Sequence, residues 1–244
     1  EIAERILKSV PIQILNKSES LSVILSGLPG EICIKMIQAM PRLRRFVVDF
    51  KNPSKSSEIA EKFAKSIESM RFLEELELEI FGETAVNRKI QFPQGIRKLD
   101  LRSDVDATVL LPEKAFPTLK KAVFATSDSS GEMLGRSCPE ATSVSMITPT
   151  SADLGSVLES CPKLTKLMVL SEMDLNISKF ESSPCSKFLT KISLFQVSAN
   201  VAEICRICRN LTDFRFGNAS PLDVLALASL KNLRPFDLEI RTDD

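Results

Sequence analysis

Apolar residues recur along most of the chain in one short phrase, L-x-x-L-x-L with apolar substitutions. Nine copies begin at Leu43, Leu73, Ile96, Leu119, Ala141, Leu164, Leu189, Leu211 and Leu233, at intervals of 30, 23, 23, 22, 23, 25, 22 and 22 residues. Positions 4 and 6 of each copy have the period of two that a strand with one buried face requires. Each copy is therefore predicted to form a short strand.

Helical spacing, with apolar residues three and four apart, fills several intervals between the copies. The clearest stretches are SSEIAEKFAKSIESM, SADLGSVLES, VAEICRIC and PLDVLALASL, with Ser151 as the expected cap of the second and Pro221 in the first turn of the last. One strand and helix cannot bury their apolar faces alone, but parallel stacking of such units can. The predicted fold class is α/β, a curved solenoid of nine repeats with a concave parallel sheet and convex helices.

Residues 43–244 are predicted to be one continuous solenoid domain, and residues 1–42 an N-terminal capping or first-repeat helical region. Within the latter, SLSVILSGLPGEICIKMIQAM is expected to form one broken helix or two.

Cysteines precede several strand phrases, in the runs SCPEATSVSM, SCPKLTKLMVL and ICRNLTDFRF. These runs resemble the C-P-x-L-x-x-L-x-L phrase of the cysteine-containing leucine-rich repeats common in F-box proteins. The strand signature covers Leu43 to the C-terminus, although the chain lacks the regular Asn after the strand and its units are shorter.

The resemblance implies a protein-recognition scaffold, the substrate-recognition repeat domain of an F-box-type ubiquitin ligase. An F-box, which would recruit the cullin-RING ligase adaptor, is expected upstream of Glu1. The segment GLPGEICIKMI from Gly27 matches an F-box opening only superficially and is more simply the outer helix of the first repeat. The alternative is a ligand-binding receptor, immune sensor or pathogen effector built on the same repeats without a ubiquitin role.

The composition argues against an enzyme. The chain contains no His, so Ser-His and Cys-His nucleophile pairs and HExxH metal sites are excluded. Nothing among its 8 glycines resembles a phosphate-binding loop. No cofactor or metal is expected, and a third function class, a GTPase-activating repeat protein donating an exposed Arg, rests on exposed arginines alone.

Charge and cysteine usage bear on partners and compartment. Lys and Arg number 32 and Asp and Glu 32, so net charge does not favour nucleic acid, and no apolar run is long enough for a membrane span. Cys138, Cys161 and Cys208 each lie three residues before a strand phrase, where a buried structural thiol is expected. Unpaired thiols favour a cytoplasmic or nuclear location. Four N-x-S/T sequons leave an extracellular one open.

Positions 3, 5 and 7 of each copy are expected to face the concave side, the strand face turned away from the helices. In the C-terminal half they include the apolar patch, defined as Ile147, Met168, Leu170 and Phe195, which is the predicted protein-binding site. The other predicted partner-binding residues are Lys166, Lys191, Glu75, Glu77, Glu79, Lys98 and Arg102. The alternatives are that position 7 already points into the core, and that the three glutamates are only a solvated face.

Overall fold

The computed structural model describes residues 20–22, 30–50, 57–80, 89–103, 116–125, 136–217 and 221–233 of the 244-residue chain. Within these ranges nine strands form one sheet in which strand order follows sequence order and every pair is parallel. The strands are β1 Ser20–Ser22, β2 Arg45–Phe50, β3 Glu75–Ile80, β4 Lys98–Ser103, β5 Lys121–Ala125, β6 Ser143–Ile147, β7 Lys166–Asp174, β8 Lys191–Ser198 and β9 Asp213–Phe216.

The repeat phrase predicts the strands residue by residue. The copies that begin at Leu43 through Leu211 all form strands, and each of these strands begins at position 3 of its copy. Neighbouring strands pair position 3 with position 3, so that Lys166 lies beside both Ser143 and Lys191. The copy from Leu233 lies outside the described residues after its first position. The units therefore stack in one register, as the spacing predicted.

Helices lie between the strands in both halves of the described chain and pack side by side. Their bounds are α1 Gly30–Ala39, α2 Ser57–Glu68, α3 Ser151–Ser160, α4 Ser178–Ser182, α5 Val201–Ile207 and α6 Pro221–Leu227. Pro221 opens α6 as expected. The cap of α3 is Thr150 rather than Ser151, because Thr150 and Asp153 form a reciprocal capping box.

The core lies between the sheet and the helices. Positions 1, 4 and 6 of the repeat point into it, as Leu164, Leu167 and Val169 do in β7 and the residues before it. The helices contribute buried side chains such as Phe63 and Leu158. One face of the sheet is thus buried by a continuous stack of repeats, and the opposite face is the concave face.

The N-terminal region differs from the prediction. Ser20–Ser22 forms β1 and pairs with β2, whereas a helix was expected there. The alternation S-L-S-V has the period of a strand, and the sheet edge offered by β2 satisfies its backbone groups. Helix α1 contains GEICIKMI, as expected for the outer helix of a repeat. The domain division at residue 42 stays a prediction.

Candidate protein-binding face

Three rows of side chains run across the concave face, because the register aligns equivalent positions of neighbouring strands. The position 3 row is Arg45, Glu75, Lys98, Lys121, Ser143, Lys166, Lys191 and Asp213. The position 5 row is Val47, Glu77, Asp100, Val123, Ser145, Met168, Ser193 and Arg215. The position 7 row is Asp49, Glu79, Arg102, Ala125, Ile147, Leu170 and Phe195. All predicted partner-binding residues therefore lie on this one face.

In the N-terminal half, charges on this face pair with each other. Arg45 lies 3.6 Å from Glu75 on the next strand. Arg102 lies 3.2 Å from Glu79 and 3.1 Å from Asp100, and its hydrogen bonds to Asp100 raise the pKa of its guanidinium. Two of the three glutamates of β3 thus have a cation beside them. A basic segment docking here would have to compete with these contacts.

The C-terminal half of the position 7 row is apolar. Ile147, Leu170 and Phe195 are direct register partners on three adjacent strands. All three are partly exposed, whereas their neighbours at position 6, such as Val169, are fully buried. None of the three belongs to the core cluster or packs against it. Position 7 is still part of the strand, so the core-filling alternative does not hold for these side chains.

The other predicted residues of this half surround the apolar row. Met168, at position 5 of β7, is partly exposed. Lys191 pairs with Asp213 on the next strand. Burial alone would raise the pKa of the Asp213 carboxyl, but hydrogen bonds from Lys191 and Arg215 lower it overall. Lys166 is exposed at the start of β7.

A cleft lies near the C-terminal end of β8. It has a volume of about 270 Å³ and is lined by Leu194, Gln196, Val197, Ser198, Ala199, Val201 and Phe216. Gln196 has a φ of 60°, a conformation that non-glycine residues rarely adopt. Leu194 and Phe216 are register partners at position 6 of β8 and β9, so the cleft lies toward the core side of the sheet and is separate from the position 7 row.

Comparison with known proteins supports the fold. No family model matches the chain, and no curated protein matches it. Among solved structures, an internalin C2 from Listeria monocytogenes has a TM-score of 0.51 over 94% of this chain and 84% of that one, at 14% identity. The fold is a leucine-rich-repeat solenoid. A TLR13–ssRNA13 complex matches with a TM-score of 0.46 and 11% identity, over 85% of this chain, which spans 34% of that chain.

Lys121 also lies on this face of the leucine-rich-repeat solenoid, although it is not among the predicted partner-binding residues. Lys121 is exposed at position 3 of β5, between Lys98 and Ser143. Its position in the repeat is the signal that identifies it, because every residue at position 3 begins a strand and lies in the same row. With Lys121 included, four of the five position 3 residues from β4 to β8 are lysines.

The cysteines are structural in the described part of the solenoid. Cys138, Cys161, Cys185, Cys205 and Cys208 are free and buried. Burial raises the pKa of Cys161 and Cys208 to about 12 and that of Cys205 to about 11, so these thiols stay protonated and poorly nucleophilic at neutral pH. In the described ranges, no three His, Cys, Asp or Glu side chains are placed together so that they could hold a metal ion.

No helix among the described residues is both long and apolar enough to cross a membrane.

Proposed function

We propose that this solenoid is a non-catalytic protein-recognition scaffold whose partner binds the concave face at β6, β7 and β8. The observation that carries the proposal is the row formed by Ile147, Leu170 and Phe195. Three large apolar side chains on adjacent strands are partly exposed and lie outside the core. Contiguous exposed apolar surface is costly in water and is typical of protein interaction sites.

The narrower proposal is that the chain is the substrate-binding part of an F-box-type ubiquitin ligase. It rests on the cysteines that precede the strand phrases and on their burial at equivalent corners of successive repeats, as at Cys138 and Cys161. The Cys161 thiol donates to the Cys138 carbonyl at 3.3 Å, one repeat upstream. Free thiols packed in this way fit a reducing cytoplasm or nucleus. The alternative is a receptor, immune sensor or pathogen effector that uses the same face without ubiquitin chemistry.

Affinity capture from cell lysate tests both levels of the proposal. The bait is the full-length natural protein, compared with the double variant Leu170→Asp, Phe195→Asp. A matched control is Phe72→Asp, Phe188→Asp, because these two phenylalanines are 56% and 59% exposed and lie outside the apolar patch. Circular dichroism establishes that each variant is folded before capture.

We expect a partner protein to be captured by the wild type and the control but lost from the Leu170→Asp, Phe195→Asp variant. Cullin and its adaptor in all three captures would support the ligase proposal, since they would bind elsewhere on the protein. A partner lost without any ligase component would favour the receptor or effector alternative. A partner kept equally by both double variants would overturn the proposed binding face.

A further inference from the structure

Three lysines of the position 3 row form no ion pair with any described residue. Lys98, Lys121 and Lys166 have no carboxylate of the described residues within ion-pairing distance, whereas Arg45, Arg102 and Lys191 on the same face each have at least one. Lys121 and Lys166 are exposed, and Lys98 is partly exposed. The row thus carries positive charge on β4, β5 and β7, with Glu75 beside Lys98 at one end and Ser143 on β6 between Lys121 and Lys166, in a chain whose net charge is zero.

Like charges also lie side by side in this row. Lys98 is the register partner of Lys121, and Lys166 is the register partner of Lys191. Like charges directly opposite each other on neighbouring strands destabilise a sheet. A bound anionic partner would relieve this repulsion. The adjacent lysines therefore favour binding of such a partner, and they do not stabilise the fold.

The strip of the concave face between the position 3 and position 7 rows is called the trough here. The three lysines border it on β4, β5 and β7, and the apolar row borders it on β6 to β8. Position 5 forms its floor, which on β6 to β8 consists of Ser145, Met168 and Ser193. Positions 3 and 7 are four residues apart, or about 13 Å along a strand. This width matches the roughly 10–12 Å diameter of an α-helix with its side chains.

The spacing across the strands also favours a helical occupant. Neighbouring strands lie about 4.8 Å apart. A helix lying across the strands points one side chain toward the sheet at every turn, about every 5.4 Å, whereas an extended segment does so about every 6.6 Å. The spacing of these side chains differs from the strand spacing by about 0.6 Å for the helix and by about 1.8 Å for the extended segment. A helix therefore matches Ile147, Leu170 and Phe195 more closely.

Resting on the proposed function, we infer that the occupant is an acidic amphipathic helix lying across β4 to β8. Its apolar stripe packs against Ile147, Leu170 and Phe195, and its acidic flank faces Lys98, Lys121 and Lys166. The span of four strand intervals, about 19 Å, corresponds to about 13 helical residues. A partner with a basic flank would face Lys98, Lys121 and Lys166 and is disfavoured by charge repulsion.

A displayed peptide library tests this inference on the full protein. The probes are amphipathic peptides of about 14 residues, with leucine and isoleucine at helical spacing and every other position randomised. Peptides selected on the wild type are measured by fluorescence polarisation against Lys121→Glu, Lys166→Glu and against Leu170→Asp, Phe195→Asp. Lys35→Glu, Lys187→Glu is the matched control, since both lysines are exposed away from the trough and the change in charge is equal.

We expect the selected peptides to be enriched in Asp and Glu on one flank. Their affinity should fall by about tenfold or more on either trough variant, and by less than about twofold on the control. The charge-reversal variant should in turn select basic peptides. Loss on Leu170→Asp, Phe195→Asp without acidic enrichment or sensitivity to Lys121→Glu, Lys166→Glu would overturn the acidic helix but leave the proposed binding face intact.

Two further outcomes would overturn the inference. One is that no peptide is recovered, because a trough that accepts a helix should select helical peptides from the library. The capture from lysate would then still test the proposed binding face on its own. The other is tight binding of a labelled mixed-sequence single-stranded DNA that is lost on Lys121→Glu, Lys166→Glu. That result would make the lysines a phosphate-binding row instead.

Discussion

The hydroxyl of Thr165 donates to the backbone carbonyl of Thr142, 3.0 Å away and one repeat upstream. The same carbonyl also accepts the backbone N–H groups of Thr165 and Lys166, at 2.9 and 3.0 Å. Thr190 and Thr212 repeat the hydroxyl contact at 3.1 Å each, so a threonine ladder at position 2 ties successive repeats together. Side-chain hydroxyls therefore reinforce the backbone stacking at the corner that leads into each strand.

Replacing the Thr165 hydroxyl should weaken the stacking modestly. Thr165→Val keeps the side-chain shape, and the Thr142 carbonyl keeps two backbone donors, so the expected loss in the free energy of unfolding is about 1 kcal/mol. Thr165→Ser is the matched control, because it retains the donor and should cost about 0.5 kcal/mol or less. Urea unfolding followed by circular dichroism measures both. Equal costs for Val and Ser would show that the methyl group, not the hydrogen bond, matters.

The buried thiols should make the protein less stable in alkali. Below pH 9.0, the ordinary thiol pKa, Cys161 and Cys208 are protonated in both the folded and the unfolded state, so stability near neutrality is unaffected. Between pH 9.0 and their folded pKa of about 12, the unfolded chain releases protons that the folded chain retains. Stability should therefore fall as the pH rises, by at most about 1.4 kcal/mol per pH unit for each thiol.

Urea unfolding between pH 8 and about pH 10.5 measures this slope, and thiolate absorbance follows the ionisation directly because the chain has no Tyr to absorb in the same pH range. The control is Cys161→Ala, Cys208→Ala, whose stability should be lower but less dependent on pH. An unchanged slope in this variant would show that other groups, such as lysines, cause the alkaline loss.

The sequence predicted the stacked sheet because one physical constraint repeats along the chain. Leu164, Leu167 and Val169 illustrate it, since positions 1, 4 and 6 must be buried in every unit for the units to stack. The first strand was not predicted because Ser20–Ser22 is only three residues long and contains no full repeat phrase. The cap at Thr150 was predictable, because Thr150 is followed three residues later by an acid, Asp153, whereas Ser151 is followed by Leu154.

The binding face was predictable only in part. Alternation along the strands places Leu170 on the concave face, but whether position 7 still belongs to the strand depends on where the strand ends. The ion pairing of the lysines could not be predicted from the sequence. Lys191 and Lys166 both occupy position 3, yet among the described residues Lys191 reaches a carboxylate and Lys166 does not. The difference depends on side-chain conformation and on Asp213 in the next strand.

Gly155 offers a stabilising substitution on the outer side of the solenoid. It lies inside α3, where glycine costs about 1 kcal/mol relative to alanine. A Cβ at this position would lie 3.1 Å from Cδ and Cε of Lys179, a flexible side chain that can shift. Gly155→Ala should therefore raise the free energy of unfolding by about 0.5 kcal/mol. The measurement is thermal unfolding of Gly155→Ala alone and combined with Lys179→Ala.

The combined variant identifies any interference. Lys179 forms an exposed ion pair with Glu159 at 3.0 Å, so Lys179→Ala alone should cost little. Additive effects would mean that Lys179 moves aside freely. A double variant that is more stable than the sum would mean that the lysine opposes the new methyl group, and a destabilising Gly155→Ala in both backgrounds would contradict the prediction.

Val169 and Leu170 are chain neighbours on opposite faces of β7, and the same substitution should affect them very differently. Val169 is fully buried, so Val169→Asp places an unpaired carboxylate in the core and should cost more than about 3 kcal/mol, or prevent folding. Leu170 is partly exposed and outside the core, so Leu170→Asp should change stability by less than about 1 kcal/mol. Urea unfolding measures both. If Leu170→Asp were as destabilising as Val169→Asp, the apolar row would be part of the core, and both proposals about the concave face would lose their basis.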